Sequence, residues 1–316
     1  MELWRDLASI RRAALALLLL LPAAALGQSG ASRRPPTFGA GVEVIRLSLS
    51  VTDHRNRPVG GLTESDFAVF EDGIPQDLSF FAREPLPLSV ALLVDCSGSM
   101  DEKLAAAQEA GARFVRTLRH GDRGQVVQFN DRRLVLQDFT DDLVTLETAI
   151  RSTRASGATA LYTTLYVALK DLRAQGEPDS PRRRAIVLLS DGEDTASVVS
   201  DDQVLDVARR ADVAVYAICL RPARPGDRER RAFAEATHFL TAHTRDSGGQ
   251  VLFPGALSEL DGAYDRIADE LRSQYTVGYV PRSERRDGKW RRIVVQTPAR
   301  DGLLVRHKPG YYPPRG

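Results

Sequence analysis

Three oxygen-bearing side chains at alternate positions, Asp95, Ser97 and Ser99, stand at the end of the apolar run 90–94. All three are hard donors, and none is a His or a Cys. A cation held by such a set is Mg²⁺ or Mn²⁺, with Ca²⁺ also admissible, rather than zinc. The run has the length and composition of a buried strand and ends in the acid. The oxygens are therefore delivered at a strand's carboxyl end, where ligands bind in an open parallel sheet.

Two later stretches carry matching chemistry. In 156–161, Thr159 sits on a Gly-bearing loop just before a helical pattern. In 185–194, a second apolar run ends in Ser190, Asp191, Gly192, Glu193 and Asp194. Each stretch alone also suits a plain loop: Ser97 or Ser99 could cap the helix after Met100, and Asp191-Gly192 is an ordinary turn. Taken in order, one acid with two hydroxyls, then a hydroxyl, then an acid, the chain resembles the metal-ion-dependent adhesion site of von Willebrand factor type A (VWFA) domains.

That resemblance implies roles. Ser97, Ser99 and Thr159 match the hydroxyl ligands, and Asp95 and Asp191 match the acids that act through water. Neutral hydroxyls leave a divalent charge under-compensated, so the ion would recruit an Asp or Glu carboxylate from a partner protein. Over its mature length the chain also resembles a VWFA-related family abundant in Acidobacteria. The residues that carry this are 66–73 (Asp66 to Gly73), 275–279 (Tyr275 to Tyr279) and the closing Gly310-Tyr311-Tyr312-Pro313. The expected function is an exported, non-enzymatic protein-binding module. The alternatives are a structural envelope assembly module indifferent to metal, and a metal-dependent hydrolase.

The elements that must position these residues alternate strand and helix. Helices are expected over 102–118, 142–154, 160–175, 202–211, 229–243 and 257–274. Strands are expected over 125–129, 133–139, 185–194, 213–220 and 250–253. This is α/β, a doubly wound, mostly parallel sheet of Rossmann-like type over 87–274. The segments on either side read as short strands and turns. They are 42–51, 62–70 and 76–82 before it, and 275–280, 290–297 and 303–307 after it, with Asp287-Gly288 and Asp301-Gly302 as hairpin turns between the last three. Neither segment could stand alone, so 42–86 and 275–316 are expected to pair into a small all-β sandwich in which the α/β unit is inserted.

The N-terminus reads differently. Arg5, Arg11 and Arg12 precede the apolar run 13–21, and small residues follow at Ala23, Ala24, Ala25 and Gly27, which is the pattern of a signal peptide over 1–27. A flexible Gly, Ser, Arg and Pro lead-in covers 28–41. The mature protein is thus expected to be secreted or periplasmic, with no transmembrane segment. A formal charge of +1 in 316 residues, with acids and bases mixed, offers no footprint for a nucleic-acid partner.

Cys96 lies in the loop that carries Asp95, Ser97 and Ser99, and Cys219 lies in the run 213–220, which the strand ending at Asp191 should separate from the first strand, so both are expected to remain free, buried thiols. Ser97 lacks the Gly-x-Ser-x-Gly setting of a hydrolase nucleophile. His238 and His243 lack the flanking Glu of a zinc protease, and all five His are expected at the surface or at caps. Arg182, Arg183 and Arg184 could form a patch for phosphate or an acidic partner, but they read as a solvated lead-in to a strand, as such short charge runs usually are. The acids Asp191, Glu193, Asp194, Asp201 and Asp202 suit either a second calcium site or compensation of a helix dipole.

Overall fold

The computed structural model describes residues 44–83, 86–175, 182–221, 226–283 and 285–314. The expected signal peptide and lead-in lie outside the described residues.

The N-terminal strands are β1 (Ile45–Thr52), β2 (Ala68–Glu71), β3 (Ile74–Gln76) and β4 (Leu78–Ala82). Asp72 and Gly73, with φ of 49° and 83°, make the tight turn between β2 and β3. Two successive positive φ values are what a twist-matched two-residue hairpin demands, and Asp and Gly tolerate them.

The central unit begins with β5 (Leu88–Asp95), of which every residue is buried. It continues through α1 (Asp101–Val115), β6 (Arg123–Phe129), β7 (Arg133–Thr140), α2 (Leu143–Arg151) and α3 (Leu161–Ala174). Then come β8 (Arg183–Ser190), α4 (Asp201–Arg210), β9 (Ala214–Cys219), α5 (Asp227–Ser247), β10 (Val251–Leu252) and α6 (Leu260–Ser273). Its sheet runs β10-β9-β8-β5-β6-β7, parallel except for the β6–β7 hairpin.

The run 90–94 is unbroken in apolar character because helices cover both faces of the sheet. Val90, Leu92 and Val94 pack with Phe114 of α1, Ile150 of α2 and Ile267 of α6. Ala91 and Leu93 pack with Leu165 and Leu169 of α3, Val204 of α4 and Phe239 of α5. From β5 the chain crosses to β6 on one side, and from β8 to β9 on the other. The strand order therefore reverses between β5 and β8, which opens a crevice at their carboxyl ends.

The C-terminal strands are β11 (Tyr275–Tyr279), β12 (Arg291–Gln296), β13 (Leu304–Arg306) and β14 (Gly310–Tyr311). They interleave with the N-terminal strands in two antiparallel sheets, β13-β1-β11-β4 and β14-β12-β2-β3. Leu47, Leu49, Val51, Val277 and Tyr279 from one sheet share a core with Val69, Ile293 and Val295 from the other.

This arrangement corrects the two C-terminal hairpins. Asp287-Gly288 does not join paired strands: β11 pairs with β1 and β4, while β12 pairs with β2 and β14. Asp301-Gly302 likewise joins strands of different sheets, since β13 pairs with β1. Gly288 and Gly302 do turn, with φ of 67° and 77°. The chain between 279 and 291 is, however, long enough to cross the roughly 10 Å between facing sheets. Crossing lets the apolar faces of β11 and β12 cover each other, whereas a hairpin would set them side by side.

Candidate metal centre

Asp95 is the last residue of β5 and has no exposed surface. Its Oδ1 accepts from the Ser97 amide at 2.9 Å and its Oδ2 accepts from the Ser190 hydroxyl at 2.5 Å. Burial pushes the carboxyl up to about 6, against the pull of those hydrogen bonds, and the neighbouring charge of Asp191 adds to the rise. Ser190 and Asp191 stand at the carboxyl end of β8, the neighbour of β5 across the crevice.

The first and second loops are tied by two backbone bonds, Gly98 N to Gly157 O at 3.0 Å and Ser156 N to Cys96 O at 2.7 Å. The second and third are tied at Thr159. Its carbonyl accepts from the amides of Thr195 and Ala196, and its amide donates to Thr195 Oγ1 at 3.0 Å. All three loops that carry the sequence-predicted residues are thus held against one another. Ser97 and Thr159 are buried and Ser99 is exposed, so the cluster opens to solvent on the Ser99 side.

The capping alternative for the serines is not what their side chains do. Ser97 precedes a short 3-10 turn over Gly98–Met100 but makes no side-chain cap, and α1 begins after Met100, also without one. The Ser97 and Ser99 hydroxyls instead face each other at 3.1 Å. The Asp191-Gly192 turn is more constrained than an ordinary turn. Gly192 has φ of +85°, and a Cβ there would fall 2.3 Å from Ala236 Cβ of α5 and 3.2 Å from Cys219 Sγ. Only glycine fits that position.

Two residues that motif spacing did not reveal complete the surroundings. Ser190 both donates to Asp95 and accepts from the Gly192 amide at 2.9 Å, which couples the ends of β5 and β8. Its place one residue before Asp191 on an alternating strand was the available signal. Lys103 on α1 sets its ammonium 2.8 Å from Asp191 Oδ2. Asp191 Oδ1 is buried with no hydrogen-bond partner. Nothing local in the sequence links Lys103 to an acid so far along the chain.

A hard divalent ion suits this donor set. The candidate ligands are oxygens only, two hydroxyls lie within 3.1 Å of each other, and a buried carboxylate oxygen of Asp191 lacks a partner.

Several neighbouring expectations change. Asp194 accepts from Tyr162 N and Ser197 Oγ, and Asp201 and Asp202 form the first turn of α4 behind the Ser200 cap. These acids serve the local backbone and the helix dipole. Beside them, Tyr162 stacks on Phe239 at 3.9 Å between ring centres and packs against the core. His243 is fully buried, correcting its surface assignment: Nδ1 bonds to Phe239 O, and Nε2 lies 3.2 Å from Asp201 Oδ1 outside hydrogen-bonding geometry. His307 is half-buried and accepts from Val295 N. Cys96 and Cys219 form no disulfide and are buried, with burial pushing both thiols up to about 12, which makes them inert.

Residues 90–193 match the family model described as von Willebrand factor type A domain. That segment is similar to a von Willebrand factor type A domain. A UPF0353 protein of Nocardia farcinica is 26% identical over 250 residues, covering 70% of this chain and 73% of that protein. A von Willebrand factor type A protein from Catenulispora acidiphila superposes with a TM-score of 0.48 at 15% identity, covering 85% of this chain and 73% of the other. The vWF domain of the type V pili tip protein Mfa5 from Porphyromonas gingivalis gives 0.46 at 16%, covering 58% and 94%. No helix among the described residues is long and apolar enough to cross a membrane.

Proposed function

We propose that the type A domain is a non-enzymatic, metal-dependent protein-binding module of an exported protein. Ser97, Ser99 and Thr159 would hold Mg²⁺ or Mn²⁺ directly, with Asp95 and Asp191 in support through water. The bound ion would supply a Lewis-acid position for an Asp or Glu carboxylate of a partner protein.

The observation that carries this reading is the charge balance at the three joined loops. Asp95 and Asp191 bring two negative charges and Lys103 one positive charge, and the remaining candidate ligands are neutral hydroxyls. A divalent cation leaves that set with one net positive charge at an opening lined by exposed Ser99. A partner's carboxylate restores neutrality, so metal and partner would bind as one coupled event.

A second reading, a scaffold indifferent to metal, is favoured by the Lys103–Asp191 ion pair, which already neutralises the acid without an ion. Calorimetry separates the two. Titration with magnesium or manganese chloride, followed by a Glu-bearing peptide, is expected to give heat for each addition in the wild type. Neither heat is expected in a Ser97→Ala, Thr159→Ala variant. No heat and no thermal stabilisation in the wild type would leave only the scaffold. Turnover of ester or phosphate substrates would argue for a hydrolase instead.

A further inference from the structure

At the opposite end of the central sheet from the three loops, a cleft of about 210 Å³ lies between that sheet and the sandwich. Its walls come from the amino ends of β5, β8 and β9, the last turns of α5 and α6, and residues of β1 and β11. Among its described lining residues are Arg46, Arg182, Arg183, Arg184 and Lys308, against one acid, Asp212.

These cations correct the reading of Arg182–Arg184 as a solvated lead-in. Arg182 donates to Leu88 O and Ser89 Oγ, Arg183 to Leu86 O, Leu271 O and Gln274 Oε1, and Arg184 to Leu172 O and Arg173 O. Several of these carbonyls end helices, where a cation is favourable. Arg184 is paired with the Asp212 carboxylate at 3.2 Å. Arg183 and the Lys308 ammonium, which donates to Ala211 O at 2.7 Å, meet neutral oxygens there. Burial holds both groups below their ordinary values, and for Lys308 the Arg173 and Arg184 charges add to the effect.

A second observation is independent of charge. Thr276 on β11 is 3% exposed, lines the cleft, and its hydroxyl has no partner. Buried hydroxyls are rarely left unsatisfied without a ligand or water to complete them.

We propose that this cleft binds a small, multiply charged oxyanion, inorganic phosphate or a phosphomonoester. Arg46, Arg183 and Lys308 supply the charge, and the Thr276 hydroxyl donates a hydrogen bond. Guanidinium groups and a desolvated ammonium suit phosphate oxygens. The volume falls below the roughly 300–1,000 Å³ of sites that enclose drug-sized ligands and suits a group of phosphate size.

The test is thermal unfolding and calorimetry of the full chain at constant ionic strength, comparing inorganic phosphate, glycerol 3-phosphate and chloride. Phosphate is expected to raise Tm beyond chloride, and a matching rise with glycerol 3-phosphate identifies the phosphomonoester as a ligand. Lys308→Gln and Thr276→Val are each expected to weaken phosphate affinity about tenfold. Arg132→Gln, whose exposed side chain lies outside the cleft, is expected to leave it unchanged. If Lys308→Gln fails to fold, Arg46→Gln at an exposed position replaces it. No phosphate-specific shift in the wild type, or a shift retained in every cleft variant, overturns the proposal.

Discussion

Asp191 carries two unlike environments on one carboxylate. Oδ2 pairs with Lys103 at 2.8 Å, while Oδ1 is buried and unpartnered. Removing the lysine charge leaves a largely buried acid without its counter-ion, which costs about 1–3 kcal/mol after allowance for the partial exposure of the pair. Under the adhesive reading, a divalent ion replaces that charge. Lys103→Gln is therefore expected to lower Tm in EDTA and to show a larger magnesium-induced rise in Tm than the wild type. An equal rise in both proteins would mean that the ammonium and the ion do not share the acid. Asp95, Ser97 and Asp191 were legible as candidates because each stands at the end of an apolar run, a local pattern. Lys103 was not, because its partner lies 88 residues away and only folding joins them.

At the scale of elements, the turn leaving β8 is wedged against α5. Gly192 combines a left-handed φ with contacts too close for a side chain. Gly192→Ala is expected to cost about 2 kcal/mol or more, from backbone strain and overpacking together. Ala236→Gly in the same chain removes the 2.3 Å clash and should recover part of that loss, the φ penalty remaining. Urea unfolding of the single and double variants measures both parts. Full additivity of the two substitutions would show that the turn and α5 do not press on each other. The helices of the central unit were legible from periodicity to within a few residues, as with α1, expected over 102–118 and found at Asp101–Val115, whereas the expected 62–70 segment holds a 3-10 turn and reaches a strand only at Ala68. The partners of β11 and β12 were not. A strand's alternation records which face is buried, and it does not say which strand lies beside it or which sheet covers it.

At the scale of the whole molecule, the central unit and the sandwich meet through buried polar groups. The Glu270 carboxylate of α6 accepts from Ser50 of β1, Tyr216 of β9, Gln250 and Arg306 of β13. Lys308, just after β13, reaches across to Ala211 O behind α4. Burial lowers this lysine from 10.5 to about 8, with Asp212 opposing the shift and Arg173 and Arg184 supporting it. Between those values the unfolded chain holds a proton that the folded chain has lost, so stability rises with pH. Cys96 and Cys219, held up to about 12, act in the opposite sense once pH passes their ordinary 9.0. The lysine therefore governs the interval from about 8 to 9. Over that interval the unfolding free energy of the wild type, measured by urea titration, is expected to rise relative to Lys308→Gln. A parallel pH profile for the two proteins would place the ammonium in solvent.

The order of strands and helices, the two-sided burial of 90–94 and the oxygen residues at the ends of two central strands were all written in local sequence. Each depends on residue type and on spacings of two to four positions, which act before the chain has closed on itself. The Ser190–Asp95 bond, the Lys103–Asp191 pair, the crossing of β11 and β12 into different sheets, the burial of His243 and the gathering of Arg183 and Lys308 around one cleft were decided by tertiary structure. All of these join residues distant in sequence, and which distant groups meet is set by how the apolar faces of whole elements cover one another.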